Sequence, residues 1–380
     1  MLTLLTVLQF SFIVAVVVFL AINAHFLVKA EPVTGSLPES PFVSICVPAR
    51  NEERDLEACL ASLLEQGYPH FEVIVVDDNS TDRTPVIIDS LKERYSHLIA
   101  IRGAPLPPDW YGKPFALHQA VQKSRGEILL FTDADPIFRP HALTSAVYLM
   151  QERRMDLLTL LPKAEFGSFW ERAVQPLIFA FIAAFTRFGK VNDPDSPAAM
   201  GIGSFLMMRR QVYDRVGGHE ALKQTILEDI GMGRLVKQSG ARIMIADGRK
   251  IYSIRMYHSL EEIWVGWRKN IFLAMNKSVL KTVYYILCVW GFVITPWLVA
   301  GYHVGMQTSL WGQVPALAGL ALVLISKATL CHELHLPKRN LLLFPLGALV
   351  MAAIMINSMV HVLFRGHSEW RGRTYSQPVR

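Results

Sequence analysis

Hydrophobic positions are spread unevenly along this chain, and the pattern changes twice. Residues 2–28 form one apolar run without a charged residue. Such a run predicts a helix able to cross ~30 Å of hydrocarbon, which takes about 20 residues. Three further apolar stretches lie near the other end, at 282–302, 310–330 and 341–364. Between these ends, over 31–278, short apolar runs alternate with amphipathic stretches. Strands are predicted at 42–47, 71–76, 98–102 and 127–131, and helices at 53–64, 82–95 and 114–123. A fifth apolar run follows at 157–161. The alternation indicates βαβ units, hence a mainly parallel sheet with helices on both faces.

Residues 169–188 fit a soluble domain poorly, except as a buried core helix, because Trp170, Leu177, Ile178, Phe179, Phe181, Ile182 and Phe185 crowd one segment that also carries Arg172 and Arg187. A full crossing there would divide the α/β region across the bilayer. A helix lying in the headgroup region is expected instead. The organisation that results is an N-terminal anchor over 1–30, an α/β domain over 31–277, three apolar segments over 278–366 and a basic tail over 367–380.

Charge orients these pieces. No Lys or Arg precedes the first apolar run, as one would in a secretory signal, whereas Lys29 follows it. The chain after Lys29 is therefore expected in the cytoplasm, as is the connection carrying Lys338 and Arg339, while the uncharged link 303–309 is expected outside. Four full crossings would leave Arg365, Arg371, Arg373 and Arg380 outside, against the same rule. The conflict disappears if one stretch, such as that interrupted by Pro296, enters and leaves by one face.

Composition sharpens the class. Hydrophobic residues make up 52% and charged ones 18%, against roughly 25% charged in ordinary globular domains. A net charge of +6 suits a surface beside anionic lipid. No basic cluster with interleaved aromatics points to nucleic acid. The four cysteines show no paired spacing and are expected as free thiols. The run Cys331-His332-Glu333-Leu334-His335 has metal-binding residue types, but a short polar loop between two apolar stretches accounts for it as well.

The candidate chemistry lies where the predicted strands end. The first ends in Val47-Pro48-Ala49-Arg50-Asn51-Glu52-Glu53, the second in Val76-Asp77-Asp78-Asn79-Ser80-Thr81-Asp82, and the fourth in Phe131-Thr132-Asp133-Ala134-Asp135. One such acidic end can merely cap the next helix. Three on one sheet edge, where ligands of open α/β sheets bind, point to a site for a hard divalent cation and a diphosphate. Asp133 and Asp135 are the candidate ligands for Mg²⁺ or Mn²⁺, completed by substrate phosphates. Asp78 is placed to accept from a base edge or ribose, and Lys113 to meet the diphosphate as a point charge.

This ordered set of motifs resembles inverting glycosyltransferase family 2, over about residues 40–275. The resemblance implies the GT-A (Rossmann-like) fold and substrate-binding roles for Pro48, Arg50, Asn51, Glu52, Asp78, Lys113, Asp133 and Glu228. In the pair Glu228-Asp229 it implies that Asp229 is the general base for the acceptor hydroxyl. An inverting displacement needs such a base on the acceptor side, with a Lewis acid on the leaving group. The chain lacks the Gln/Arg-x-x-Arg-Trp box of processive synthases and ceramide glucosyltransferases. It has Trp264-Val265-Gly266-Trp267-Arg268-Lys269-Asn270 instead, where Trp267 and Arg268 either close over the diphosphate or belong to an aromatic interface belt.

With Trp110-Tyr111-Gly112-Lys113 and Gly217-Gly218-His219-Glu220, the chain is similar to membrane glycosyltransferases of carotenoid (diaponeurosporenoate-type) biosynthesis, and less closely to hopanoid-associated ones. The resemblance implies a nucleotide-sugar donor such as UDP-glucose and a lipid acceptor: a carotenoid or other isoprenoid, or else ceramide, diacylglycerol or polyprenyl phosphate. It also implies an integral protein of the bacterial cell membrane. A nucleotidyltransferase would carry a Gly-rich basic loop after the first strand, where this chain has Ala49-Arg50-Asn51-Glu52-Glu53. A non-catalytic membrane scaffold would leave Asp135 and Asp229 idle.

Overall fold

A computed structural model describes residues 2–365, 367–370 and 373–376. The chain divides into two compact units. One comprises Leu27–Glu165 with Phe188–Met256, and the other Met1–Phe26, Phe166–Arg187 and Tyr257–Arg380.

The first unit is built on eleven strands: β1 Val28–Lys29, β2 Val43–Ala49, β3 Phe71–Asp77, β4 Leu98–Arg102, β5 Ile128–Phe131, β6 Ile137–Phe138, β7 Leu157–Leu161, β8 Lys163–Ala164, β9 Leu206–Arg209, β10 Ile243–Asp247 and β11 Tyr252–Ile254. Eight of them form one sheet in the order β1-β10-β7-β9-β5-β2-β3-β4. All its pairings are parallel except those of β9, which runs antiparallel to both β5 and β7. Strands β6, β11 and β8 make a small second sheet.

Residues of β2, β3 and β5 are buried on both sides, which is why these strands read as continuous apolar runs. Successive side chains go to opposite faces. Thus Ile45, Val47, Val73, Val75 and Leu130 enter one core with the helices Leu56–Leu64 and Ala142–Glu152. Cys46, Ile74, Val76, Leu129 and Phe131 enter the other with Gly112–Lys123 and Glu228–Gln238. The mainly parallel sheet with helices on both faces, expected from the alternation, is present.

Strand boundaries fall within two residues of expectation, but two helices start later. The N–H groups of Glu52 and Glu53 bond to Thr84 Oγ1 (2.8 Å) and Asp82 Oδ2 (3.1 Å), and that of Arg83 to Glu53 Oε2 (3.0 Å). Residues expected in the first turns of two helices instead fasten two strand-end loops to each other.

At the opposite edge of the sheet a buried carboxylate ties the strand starts together. Glu72 accepts from Ser44 Oγ (2.7 Å) and from the backbone N, Nε and Nη2 of Arg125 (2.8, 3.1 and 3.0 Å). Only the Arg125 side chain is exposed.

The second unit is helical. Leu2–His25, Leu310–Glu333 and Lys338–Phe364 are long and apolar enough to cross a membrane, with mean hydropathies of 2.7, 1.9 and 2.1. The apolar stretch at 282–302 is not one continuous helix. It divides into Val279–Val293 and Thr295–Gly305, and Pro296 stands at the first turn of the second, where its missing N–H is tolerated. Leu260–Ala274 and Val279–Val293 form a pair bent by 118°.

The segment 169–188 is the helix Phe169–Thr186, opened by a capping box between Ser168 and Glu171. It belongs to the helical unit rather than to the sheet unit with which it is contiguous in sequence. Asn340 Nδ2 donates to its Arg172 carbonyl (3.2 Å) and Asn23 Nδ2 to its Ala183 carbonyl (2.8 Å). In the tail, Arg371 and Arg380 lie outside the described residues.

Arg125→Met should lower the stability of the sheet unit by about 1.5–3 kcal/mol, the usual worth of hydrogen bonds to a charged group. Buried Glu72 would lose its guanidinium partner. Thermal unfolding of the detergent-solubilised protein checks this, and an unchanged midpoint would show that Ser44 and the backbone suffice.

Candidate active site

Strand order reverses at β2, since β3 and β4 extend to one side of it and β5 to the other. The carboxyl ends of β2 and β5 therefore open a crevice, the position at which doubly wound sheets receive ligands. Asp133 and Asp135 follow β5 directly, on either side of buried Ala134, and both are half-buried. Because β9 runs antiparallel, its first residue, Leu206, pairs with the last of β5, Phe131. The loop Met200-Gly201-Ile202-Gly203-Ser204 ahead of β9 is thus delivered to the same edge.

Lys113, on the first turn of Gly112–Lys123, lies between two carboxylates. Its Nζ is 2.6 Å from Asp133 Oδ1 and 2.6 Å from Glu228 Oε1. Burial alone would lower its pKa, but Asp133, Glu228 and Asp229 overturn that effect and hold it well above its ordinary value. Lys113 is therefore not a free point charge. It is the counter-ion of the carboxylate cluster.

Asp229 is at the start of Glu228–Gln238, with Oδ2 accepting from Gly203 N and Oδ1 from Ile230 N, each at 2.8 Å. Burial and the neighbouring Glu228 charge push its pKa up to about 7, against the opposing pull of Lys113. Such a carboxylate exchanges a proton near neutral pH, as a general base must.

Four acidic side chains, Asp133, Asp135, Glu228 and Asp229, thus share this edge with one ammonium. The excess of negative charge suits a divalent cation. Among the described residues no group of three or more His, Cys, Asp or Glu is arranged to hold a metal. A cation here would take one or two carboxylates, with substrate oxygens completing its shell, the habit of Mg²⁺ and Mn²⁺. Asp133 and Asp135 fit that donor set.

Towards β3 the strand ends are knitted together. Arg50 Nη1 donates to the carbonyls of Asp78 and of Asn79 (3.0 Å), Asn51 N to Ser80 Oγ (3.0 Å), and Thr81 N to Asn51 Oδ1 (2.8 Å). Asn51 and Asn79 adopt positive φ of 53° and 56°, which Asn tolerates better than most residues. Pro48 is buried within β2. Asp77, ahead of almost fully buried Asp78, accepts from Ser80 N (3.0 Å) and pairs with Arg102 (3.2 Å). Several residues expected to touch substrate therefore first build the crevice wall.

Residues 44–217 match the model of glycosyl transferase family 2. This chain carries a family 2 glycosyltransferase domain. Over 347 residues, 88% of each chain, it is 25% identical to 4,4'-diaponeurosporenoate glycosyltransferase of Staphylococcus aureus. Over 234 residues it is 31% identical to beta-monoglucosyldiacylglycerol synthase of Nostoc sp., covering 58% of this chain and 47% of that one. Among solved structures, mannosyltransferase PcManGT from Pyrobaculum calidifontis, in complex with GDP-Man and Mn²⁺, has a TM-score of 0.50 at 18% identity. That match covers 96% of this chain and 99% of PcManGT. The likeness is one of fold, GT-A.

The candidate site thus gathers Lys113, Asp133, Glu228 and Asp229 directly. Trp267 and Arg268 belong to the helical unit. There the Trp267 ring packs edge-on against Phe179 and Tyr257, each at 6.0 Å, and the Arg268 carbonyl accepts from Ser358 Oγ.

Two features of the site went unassigned in the sequence reading. His219 is buried beside Phe131, its Nδ1 3.0 Å from Tyr213 Oη, and burial, aided by the Lys113 charge, pushes its pKa down to about 3. It is a neutral wall of the site. The other feature is the glycine loop, signalled only by a Gly-x-Gly that many turns share. A Cβ on Gly203 would lie 2.9 Å from Lys113 Nζ, 3.2 Å from Asp133 Oδ2 and 3.3 Å from Asp229 Oδ2. A Cβ on Gly201 would lie 2.0 Å from the Asp229 carbonyl oxygen.

These contacts separate two variants. Gly203→Ala crowds only side-chain ends, those of Lys113, Asp133 and Asp229, so the fold should persist while sugar transfer falls roughly 10²-fold through misplacement. Gly201→Ala meets backbone, and should lower the melting temperature as well. Melting and transfer measured on the same preparations check this, and equal melting temperatures for the two would contradict it.

Proposed function

We propose that this chain is an inverting membrane hexosyltransferase, moving a sugar from a nucleoside-diphosphate sugar of the UDP type to the polar end of a lipid. The observation that carries the reading is the Lys113–Asp133–Glu228 cluster beside a carboxylate titrating near neutrality, Asp229, on the edge that also bears Asp77 and Asp78. The helical unit, with its candidate spans, supports a lipid acceptor, as do the names of two relatives, which specify a diaponeurosporenoate and a diacylglycerol. A carotenoid or other isoprenoid is the acceptor we favour, given the relative matched over 88% of both chains. We place the protein in a bacterial cell membrane with its sheet unit cytoplasmic, following the positive charge after the first span.

In this reading Asp78 holds the nucleoside, and Pro48, Arg50, Asn51 and Glu52 shape the wall against which it lies. Asp133 and Asp135 hold Mg²⁺ or Mn²⁺, which would supply positive charge to the departing diphosphate. Asp229 takes the proton of the acceptor hydroxyl as the acceptor oxygen bonds to the anomeric carbon. The bond from that carbon to the diphosphate breaks on the opposite face, so the configuration inverts without a covalent enzyme intermediate. Lys113 keeps Asp133 and Glu228 from repelling each other before donor and cation arrive. Trp267 and Arg268 keep the substrate-binding role that the family resemblance implies. Mass analysis of lipids from a carotenoid-producing host expressing the chain tests the acceptor, and an unchanged lipid profile would argue against it.

Two expectations follow for the roles. Asp135→Ala should abolish divalent-ion-dependent donor binding, whereas Asp229→Asn should bind donor normally and lose ~10²–10⁴ in rate. Calorimetric titration with nucleotide-sugar reads both, and an equal loss of affinity would sink the division of labour. Because Asp229 accepts a proton only when ionised, kcat/KM should fall as pH drops through about 7. Glu228→Gln removes the adjacent negative charge, lowers the Asp229 pKa, and should move that limb to more acid pH. A limb that stays in place would assign it to another group.

A further inference from the structure

The helical unit buries a lysine that, among the described residues, has no carboxylate partner. Lys327 is in Leu310–Glu333, one of the candidate spans, and is 3% exposed. Four helices converge on its ammonium. Its Nζ is 3.5 Å from the carbonyl of Val293, the last residue of Val279–Val293. It stands over the ring of Trp297, in Thr295–Gly305, at 5.8 Å, and over that of Phe344, which opens Phe344–Arg365, at 5.4 Å. Among the described residues no carboxylate pairs with it. The indole N–H of Trp297 beside it is buried and has no hydrogen-bond partner.

An ammonium has three N–H donors, and here one long contact to a carbonyl engages it. The carbonyl end of a helix and two aromatic faces attract a cation without neutralising it. A second donor, Trp297 Nε1, is left unmade next to it, so the cluster has hydrogen to give and lacks an acceptor. Charged side chains inside spans face interiors or pathways and pair with something, because an uncompensated charge in hydrocarbon is strongly unfavourable. Pro296 stands in the first turn of Thr295–Gly305, directly after the break between Val293 and Thr295.

We propose that Lys327 and Trp297 Nε1 form a binding site for the anionic head of an amphiphile, a carboxylate or phosphate whose chain lies among the apolar helices. The site rests on the membrane reading of the helical unit and not on sugar transfer.

The test is equilibrium binding of radiolabelled oleate to the full chain in neutral-detergent micelles. Methyl oleate and dioleoyl phosphatidic acid serve as competitors. Oleate should bind saturably, with affinity at least ten-fold lower in Lys327→Met, several-fold lower in Trp297→Phe, and near normal in Lys327→Arg. Methyl oleate, matched in chain but uncharged, should not compete. Displacement by phosphatidic acid that depends on Lys327 would identify a phospholipid headgroup as the source of the anion. Lack of displacement would identify a free acid, and either outcome supports the site. Affinity unaltered in both Lys327→Met and Trp297→Phe, or competition by methyl oleate as strong as by oleate, would overturn it. Should Lys327→Met not fold, Trp297→Phe, which keeps the ring and removes only the N–H, decides alone. A chain that stays soluble and monodisperse without detergent would instead refute the membrane reading.

Discussion

Carboxylates repel one another, and the sheet unit puts Asp133, Asp135, Glu228 and Asp229 on one edge of one sheet. Lys113 makes that arrangement tenable by reaching Asp133 and Glu228 at 2.6 Å each. Asp133 follows β5, Glu228 opens a helix nearly a hundred residues later, and Lys113 precedes both. One ammonium therefore holds three separate pieces of chain in register. Because it offsets only part of the acidic charge, the edge keeps an excess of negative charge. Its pull on Asp229 is outweighed by burial and by Glu228, which leaves that carboxyl titrating near neutrality.

The same economy recurs in the loops. Asn51, Glu52 and Glu53 have the residue types of substrate ligands, yet they bond to Ser80, Thr81, Thr84, Asp82 and Arg83. Two strand ends that would otherwise fray are locked into one wall. A wall fixed in advance spares a ligand the entropy of ordering it. In the helical unit polar groups are handled similarly. His303 is 1% exposed, with Nε2 at 2.8 Å from Thr6 Oγ1 and Nδ1 at 2.6 Å from Thr308 Oγ1, so hydroxyls satisfy both ring nitrogens. The Trp297 indole N–H, by contrast, is buried without a partner.

Much of this was written in local pattern. Continuous apolar runs announced β2, β3 and β5, because strands covered on both faces have no polar side to show. Acidic residues directly after those runs located the crevice, since polar side chains are tolerated only where a buried strand emerges. Apolar runs of 20 or more residues announced the long helices, because in hydrocarbon a continuous helix satisfies its own backbone. The small sheet of β6, β8 and β11 left no such trace. Strands of two or three residues carry too few positions for a period to register.

What tertiary structure alone decided is which distant residues meet. Lys113 is an ordinary lysine after a glycine until β9, inserted antiparallel between β5 and β7, brings the Gly201–Gly203 turn and the start of Glu228–Gln238 to the end of β5. Ion pairs and close backbone approaches depend on that path in space, which hydrophobic periodicity does not encode. The fate of 282–302 is a similar case. Its composition fits a span, but the chain breaks at Pro296 and leaves Val279–Val293 and Thr295–Gly305 as separate helices around Lys327. Hydropathy measures how well a segment suits lipid, but not whether that segment is one helix or two.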